Sequence, residues 1–167
     1  MRSDFARKKK TDCCQAPGAA AAAGAACPTC GDRGVPVELR TVKALLTEAA
    51  MRRVSATQHR FCGSAACPTV YFDTAGRVFA TTDIRVPVWQ KEPFGRRMIC
   101  YCFGENEADI RAEIERTGRS EAAQRVRALI AAKRCACELR NPRGTCCLGD
   151  VIQAVARVEG ILQPSER

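Results

Sequence analysis

The sequence predicts an α+β chain built as two small units, mixed α and β in the first and all-helical in the second. Three observations carry this reading. Runs rich in Val, Ile, Tyr and Phe lie between residues 35 and 89, whereas helical spacing of apolar residues dominates from residue 107 onward. Aromatics make up 5% of the 167 residues, and cysteines number twelve. A core poor in rings and rich in thiols points to small units held by more than hydrophobic burial.

Residues 1–26 read as a disordered tail. A charged start, Arg2, Arg7, Lys8, Lys9 and Lys10 against Asp4, leads into Ala-rich sequence broken by Pro17, Gly18 and Gly24. No Leu, Ile, Val or Phe lies between Lys10 and Cys27, so the apolar core of a secretory signal is missing, although Ala-Gly-Ala-Ala-Cys at 23–27 faintly resembles a lipoprotein cleavage site. No run is long enough to span a membrane. The chain is therefore expected in the cytoplasm, without membrane insertion and with reduced thiols.

The first unit, 27–95, opens on the turn Cys27-Pro-Thr-Cys30-Gly, followed by a short strand expected at 35–40. A helix over 41–54 would carry Val42, Leu45, Leu46 and Ala49 on one face. Strands follow at 69–72, 77–81 and 84–89, the first two joined by the turn Asp73-Thr-Ala-Gly76. Residues 91–97, with Pro93 and Gly95, read as a linker. The second unit, 96–160, holds three helices. One over 107–117 places Ile110 and Ile114 four residues apart and stops at Gly118. Another opens on Ser120 as N-cap, with Glu121 in its first turn, and runs to about residue 134 past Val126, Leu129 and Ile130. The last follows Gly149, presents Val151, Ile152, Val155 and Val158, and ends at Gly160. Residues 161–167 close the chain as a tail.

Four cysteines of the first unit have the spacing of a metal site. In Cys27-x-x-Cys30-Gly, two intervening residues let both thiolates reach one ion, and the Gly can take a positive φ that turns amides toward sulfur. Cys62-x₄-Cys67 supplies the second pair. Two such pairs give tetrahedral Cys₄ coordination, the usual choice for structural Zn²⁺, in a zinc-ribbon-like unit. A redox C-x-x-C would want a strand before it and a helix directly after, and low-complexity sequence precedes this one. His59, the single histidine, lies three residues before Cys62 and could replace one cysteine, but reads as an ordinary exposed side chain.

Cys100-Tyr-Cys102 begins a second set, just ahead of a helix whose free amides could donate to sulfur. Cys137, Cys146 and Cys147 complete it, around the tight loop Asn141-Pro-Arg-Gly144. Spacing alone leaves a two-iron cluster and a second zinc equally open. Cys135 reads as a spare thiol, and Cys13-Cys14 as either a soft-metal hook or a pair without a role.

The net charge of +9 suggests a nucleic-acid partner, but much of it sits in the tail. Metal-bound thiolates would cancel more, leaving the folded part near neutral. With no basic and aromatic residues interleaved, nucleic acid is disfavoured. A zinc-only module touching nucleic acid through its tail is the alternative function. No paired catalytic carboxylates, nucleophile elbow or phosphate loop marks a conventional enzyme.

Taken in order, Cys27-Pro-Thr-Cys30, Phe61-Cys62-x₄-Cys67-x-x-Val70-Tyr71-Phe72, Cys100-Tyr-Cys102 and Cys137-x₃-Asn141-Pro-x-Gly144-x-Cys146-Cys147 span residues 27–150. This run resembles the N-terminal domain of the archaeal CopZ copper chaperones. The resemblance implies zinc in the first half and a [2Fe–2S] cluster in a helical second half like bacterioferritin-associated ferredoxin. It implies Cys100, Cys102, Cys137 and Cys147 as cluster ligands, with Cys146 the alternative to its neighbour. The implied role is copper handling, the cluster acting as a one-electron relay that reduces Cu(II) to Cu(I). The family continues into a copper-binding domain with a Met-x-Cys-x-x-Cys loop that these 167 residues lack. The expected partners are therefore copper ions and a separate copper chaperone or copper-transporting ATPase. Arg96, Arg97, Arg134, Arg140 and Arg143 flank the second set as candidates to tune a cluster or dock an acidic partner.

Overall fold

The structure, a computed structural model, describes residues 25–162. The expectations for 1–24, Cys13 and Cys14 included, and for 163–167 lie outside the described residues. Within them the architecture is mixed α and β: a four-stranded sheet, a two-stranded sheet and six helices.

Strands β1 (Val35–Val37), β2 (His59–Phe61), β3 (Thr69–Asp73) and β4 (Val78–Ala80) pair antiparallel in chain order. Phe61 lies opposite Tyr71, and Tyr71 opposite Phe79. The β3–β4 turn is held by Asp73, whose Oδ1 accepts from the amides of Ala75 and Arg77 at 2.9 Å each. Burial opposes ionisation of Asp73, but these amides and the hydroxyls of Ser55 and Thr57 outweigh it and hold the carboxyl below its ordinary pKa.

Sequence patterning did not reveal β2. It is three residues long and buried throughout, so it shows no alternation. Phe61 joins Tyr71, Phe79, Val42, Leu45 and Leu46 in one core, while Phe72 packs with Cys27, Cys62 and Cys67. His59 is 2% exposed, not a surface residue, and its Nδ1 lies 2.8 Å from the Thr57 carbonyl.

The helix expected over 41–54 is broken into α1 (Leu39–Leu45) and α2 (Glu48–Met51). Leu46 turns extended and bridges Ile84, and Thr47 recaps the chain by accepting from the Ala50 amide at 3.3 Å. The interruption shifts the helical phase, so Ala50 is buried and Ala49 exposed. The strand expected at 84–89 does not form. Only Ile84 pairs, Pro87 has no amide to offer, and 3₁₀ turns occupy Thr81–Asp83 and Trp89–Lys91.

The second half is not wholly helical. It opens on an antiparallel pair, β5 (Met98–Cys100) and β6 (Glu105–Asn106), before α3 (Glu107–Thr117), α4 (Ala122–Ala131), α5 (Cys137–Arg140) and α6 (Leu148–Leu162). Ile99, Ile110, Ile114, Val126, Val151, Ala154 and Val158 form its core. α3 stops at Gly118, which takes φ 80° as its sequence predicts. α4 ends before residue 134, where Lys133 adopts φ 58°. Glu121 occupies the N-cap, although the Ser120 hydroxyl accepts from the Ala122 amide at 3.2 Å. α6 starts before Gly149 and runs through Gly160.

The two halves touch directly. α1 packs on α5, and the buried Glu107 carboxylate of α3 accepts from the Gly95 amide of the connecting segment at 2.7 Å. Among the described residues no helix is long and apolar enough to cross a membrane.

Candidate metal centres

The first set is assembled by two loops of the four-stranded sheet. Cys27 and Cys30 flank a tight turn in which the Gly31 amide donates to the Cys27 carbonyl at 2.8 Å, and Gly31 takes φ 79°. Cys62 directly follows β2, and Cys67 lies two residues before β3. The Cys62 amide donates to Val70 at 2.8 Å, fastening this loop to the sheet. All four sulfurs lie within 4.8 Å of one another, with Cys27 and Cys67 4.0 Å apart and Cys30 and Cys62 3.6 Å apart. Two sulfurs on one tetrahedral zinc, bound at about 2.3 Å each, stand about 3.8 Å apart. The donor set therefore fits Zn²⁺ in chemistry and in size.

The electrostatics favour the same ion. Burial works against the Cys27 thiolate, but the amides of Cys30 and Thr29 outweigh it and bring the thiol down to about 7. Cys62 is pushed up to about 12, chiefly by burial. Cys27 and Cys62 are thus pulled in opposite directions, and a cation between them lets both hold thiolate charge. Lys91 adds a charge that sequence reading placed only in a linker. Its Nζ donates to the carbonyls of Ser64 and Cys67 at 2.8 Å each, pinning the 62–67 loop beside the sulfurs.

The second set has a different geometry. Cys100 ends β5, Cys102 follows in the turn, Cys137 begins α5 and Cys147 immediately precedes α6. Their sulfurs meet as two couples, Cys102 with Cys137 at 3.6 Å and Cys100 with Cys147 at 2.8 Å. The single mutual cluster of four sulfurs seen in the first set is not repeated here among the described residues. Cys100, Cys137 and Cys147 are buried, and Cys102 is half-buried. Of the two adjacent cysteines, it is Cys147 whose sulfur meets Cys100, while Cys146 is half-buried.

The amides serving this set do not come from a helix directly after Cys102, because α3 begins only at Glu107. The Ala136 amide, at the start of α5, donates to the Cys102 sulfur at 3.3 Å. Amides of Phe103 and Cys102 aim at Cys100, and that of Cys147 at Cys137. The bonded Cys102 thiol, and after it the nearby Cys147 thiol, push the Cys137 pKa strongly down, against burial and with help from the Cys135 thiol. The Cys147 pKa is driven up by the Cys100 and Cys137 sulfurs and by burial, and that of Cys102 by the Cys137 sulfur and by burial. Arg140 donates to the Cys102 carbonyl at 3.3 Å, and Arg143 pairs with Asp150 at 3.0 Å.

Comparison with known proteins agrees with the geometry of the first set. Residues 24–85 match the CopZ-type zinc-binding domain family. The solved N-terminal domain of CopZ from Archaeoglobus fulgidus is similar at 28% identity and a TM-score of 0.63, over 77% of this chain and 95% of that one. Among curated proteins, none matches. The first half thus carries a CopZ-like zinc-binding domain whose four-cysteine site supports Zn²⁺.

Proposed function

We propose that the chain is a two-centre metalloprotein of copper handling, holding a structural zinc on Cys27, Cys30, Cys62 and Cys67 and a [2Fe–2S] cluster on Cys100, Cys102, Cys137 and Cys147. The observation that carries the second assignment is the pairing of its sulfurs. A two-iron core takes two thiolates at each iron, so it wants couples rather than one compact tetrad. The chain offers Cys102 with Cys137 and Cys100 with Cys147. The resemblance to the CopZ N-terminal domain supports the same reading and connects it to copper.

A cluster held here supplies one-electron chemistry, and the substrate that takes the electron is Cu(II), leaving as Cu(I). The chain's own residues set the conditions for that transfer. Amides of Phe103, Ala136 and Cys147 donate to the sulfurs, stabilising their negative charge. Burial of three of the four sulfurs excludes water, and the half-buried Cys102 is the edge nearest solvent. The exposed Arg140, which donates to the Cys102 carbonyl, sets positive charge at that edge. The zinc has no exchangeable position once four thiolates surround it, which makes its role structural. Copper ions are the cargo, and a copper chaperone or copper-transporting ATPase is the partner that receives them. Thiols that must stay reduced to hold metal favour a cytoplasmic setting.

Anaerobic reconstitution with iron and sulfide tests this. The protein should gain visible charge-transfer absorption that Cys147→Ala abolishes and Cys146→Ala retains. After reduction, adding Cu(II) should restore the oxidised spectrum. A spectrum unchanged by Cu(II) would remove the reductase role. A chain that stays colourless and takes a second zinc would remove the cluster.

A further inference from the structure

The two cysteine sets are joined by a short path of buried contacts. The loop between Cys137 and Cys147 does not stand alone: it is seated on the zinc-binding half at two carbonyls. Tyr71, at the centre of β3 and 0% exposed, donates its hydroxyl to the Pro142 carbonyl at 2.8 Å. Thr41, in the first turn of α1 and 1% exposed, donates to the Glu138 carbonyl at 2.7 Å. Gly144 takes φ 69°, and a Cβ there would come within 2.9 Å of the Thr41 hydroxyl, so the loop lies flush on α1. Burial pushes the Tyr71 phenol far above its ordinary pKa and keeps it a donor.

The same strand is fastened to the first sulfur set. Tyr71 lies opposite Phe61, the neighbour of Cys62, and the Cys62 amide donates to Val70. Cys67 stands two residues before Thr69, whose hydroxyl lies 2.7 Å from that of Thr29 inside the Cys27-x-x-Cys30 turn. An ion gripping Cys62 and Cys67 therefore fixes both the end of β2 and the start of β3. Tyr71 is carried between them.

We infer that Tyr71 and Thr41 are positioning residues through which zinc in the first set holds Cys137 and Cys147 in place for the second. This rests on the zinc reading of the first set. The coupling is reciprocal by thermodynamic necessity, so a filled second set also raises the affinity of the first for zinc. The second set then assembles more readily on a chain that already carries zinc.

The test uses the full chain, iron-free, carrying one equivalent of zinc under anaerobic conditions. Iodoacetamide alkylation is followed cysteine by cysteine by mass spectrometry. Tyr71→Phe and Thr41→Val, which keep ring and shape but lose the donor, should each speed alkylation of Cys137 and Cys147 by about fivefold, the ratio one net buried hydrogen bond supports. Cys27 and Cys62 should stay protected in both variants, because zinc still covers them. Ile114→Val, a core change between α3 and α6, controls for general loosening and should leave the two rates alone. Zinc removal should speed Cys137 and Cys147 as the variants do, and the variants should then add little. Wild-type rates in both variants, an equal effect of Ile114→Val, or indifference of Cys137 and Cys147 to zinc removal would each overturn the inference. Iron plays no part in this experiment, so a second set that proves to bind zinc leaves its outcome interpretable.

Discussion

At the scale of single residues, the first metal site was legible because its signal is local. Two residues between Cys27 and Cys30 dictate that both sulfurs reach one point whatever the rest of the chain does. Lys91 was not legible: nothing in its neighbours reveals that its ammonium reaches the carbonyls of Ser64 and Cys67. Nor could His59 be recognised as buried, since the strand it opens, β2, carries no alternation. Gly34 is a further hidden position, and its requirement is for space. A Cβ there would collide with the Phe72 ring and lie 2.9 Å from Arg60 Cβ. Phe72 packs against Cys27, Cys62 and Cys67, so the collision is transmitted to the sulfurs. Gly34→Ala should cost about 2 kcal/mol of stability by overpacking. It should also weaken zinc in competition with a chelator, whereas a urea midpoint and zinc affinity both at wild-type values would show that the ring yields freely.

At the scale of elements, long periodic segments could be read and short ones could not. α3 spans its expected residues because Ile110 and Ile114 define its face and Gly118 ends it. β2 and α5, of three and four residues, have no stability of their own and exist through what they pack against. The α3–α4 junction is held by charge. Arg125 of α4 reaches Glu113 of α3 at 2.7 Å and Glu105 of β6 at 2.9 Å. Arg125, aided by the Ser120 hydroxyl and opposed by burial, lowers the Glu113 pKa to about 2. Because the folded pKa lies below the ordinary carboxylate value, this stabilisation is present above about pH 4.5 and is lost as the pH falls toward 2. Arg125→Met should therefore lower the urea midpoint near neutrality, and the gap from wild type should narrow as the pH drops toward about 3. A gap that stays constant would mean that the ion pairs contribute nothing.

For the whole molecule, the order of the cysteines along the chain suggested two units in succession. It did not reveal how they meet. The packing of α1 on α5 and the bonds from Tyr71 and Thr41 join residues far apart in sequence, and such pairings leave no local signature. The second sulfur set shows the same limit: spacing left iron and zinc equally open, and only the fold brings Cys102 to Cys137 and Cys100 to Cys147, the arrangement on which the iron proposal rests. The most direct measurement is metal and acid-labile sulfide analysis of the protein purified anaerobically and reconstituted with iron and sulfide. The two-centre account predicts about one zinc, two iron and two sulfide per chain. About two zinc with no iron or sulfide, persisting after reconstitution, would contradict it.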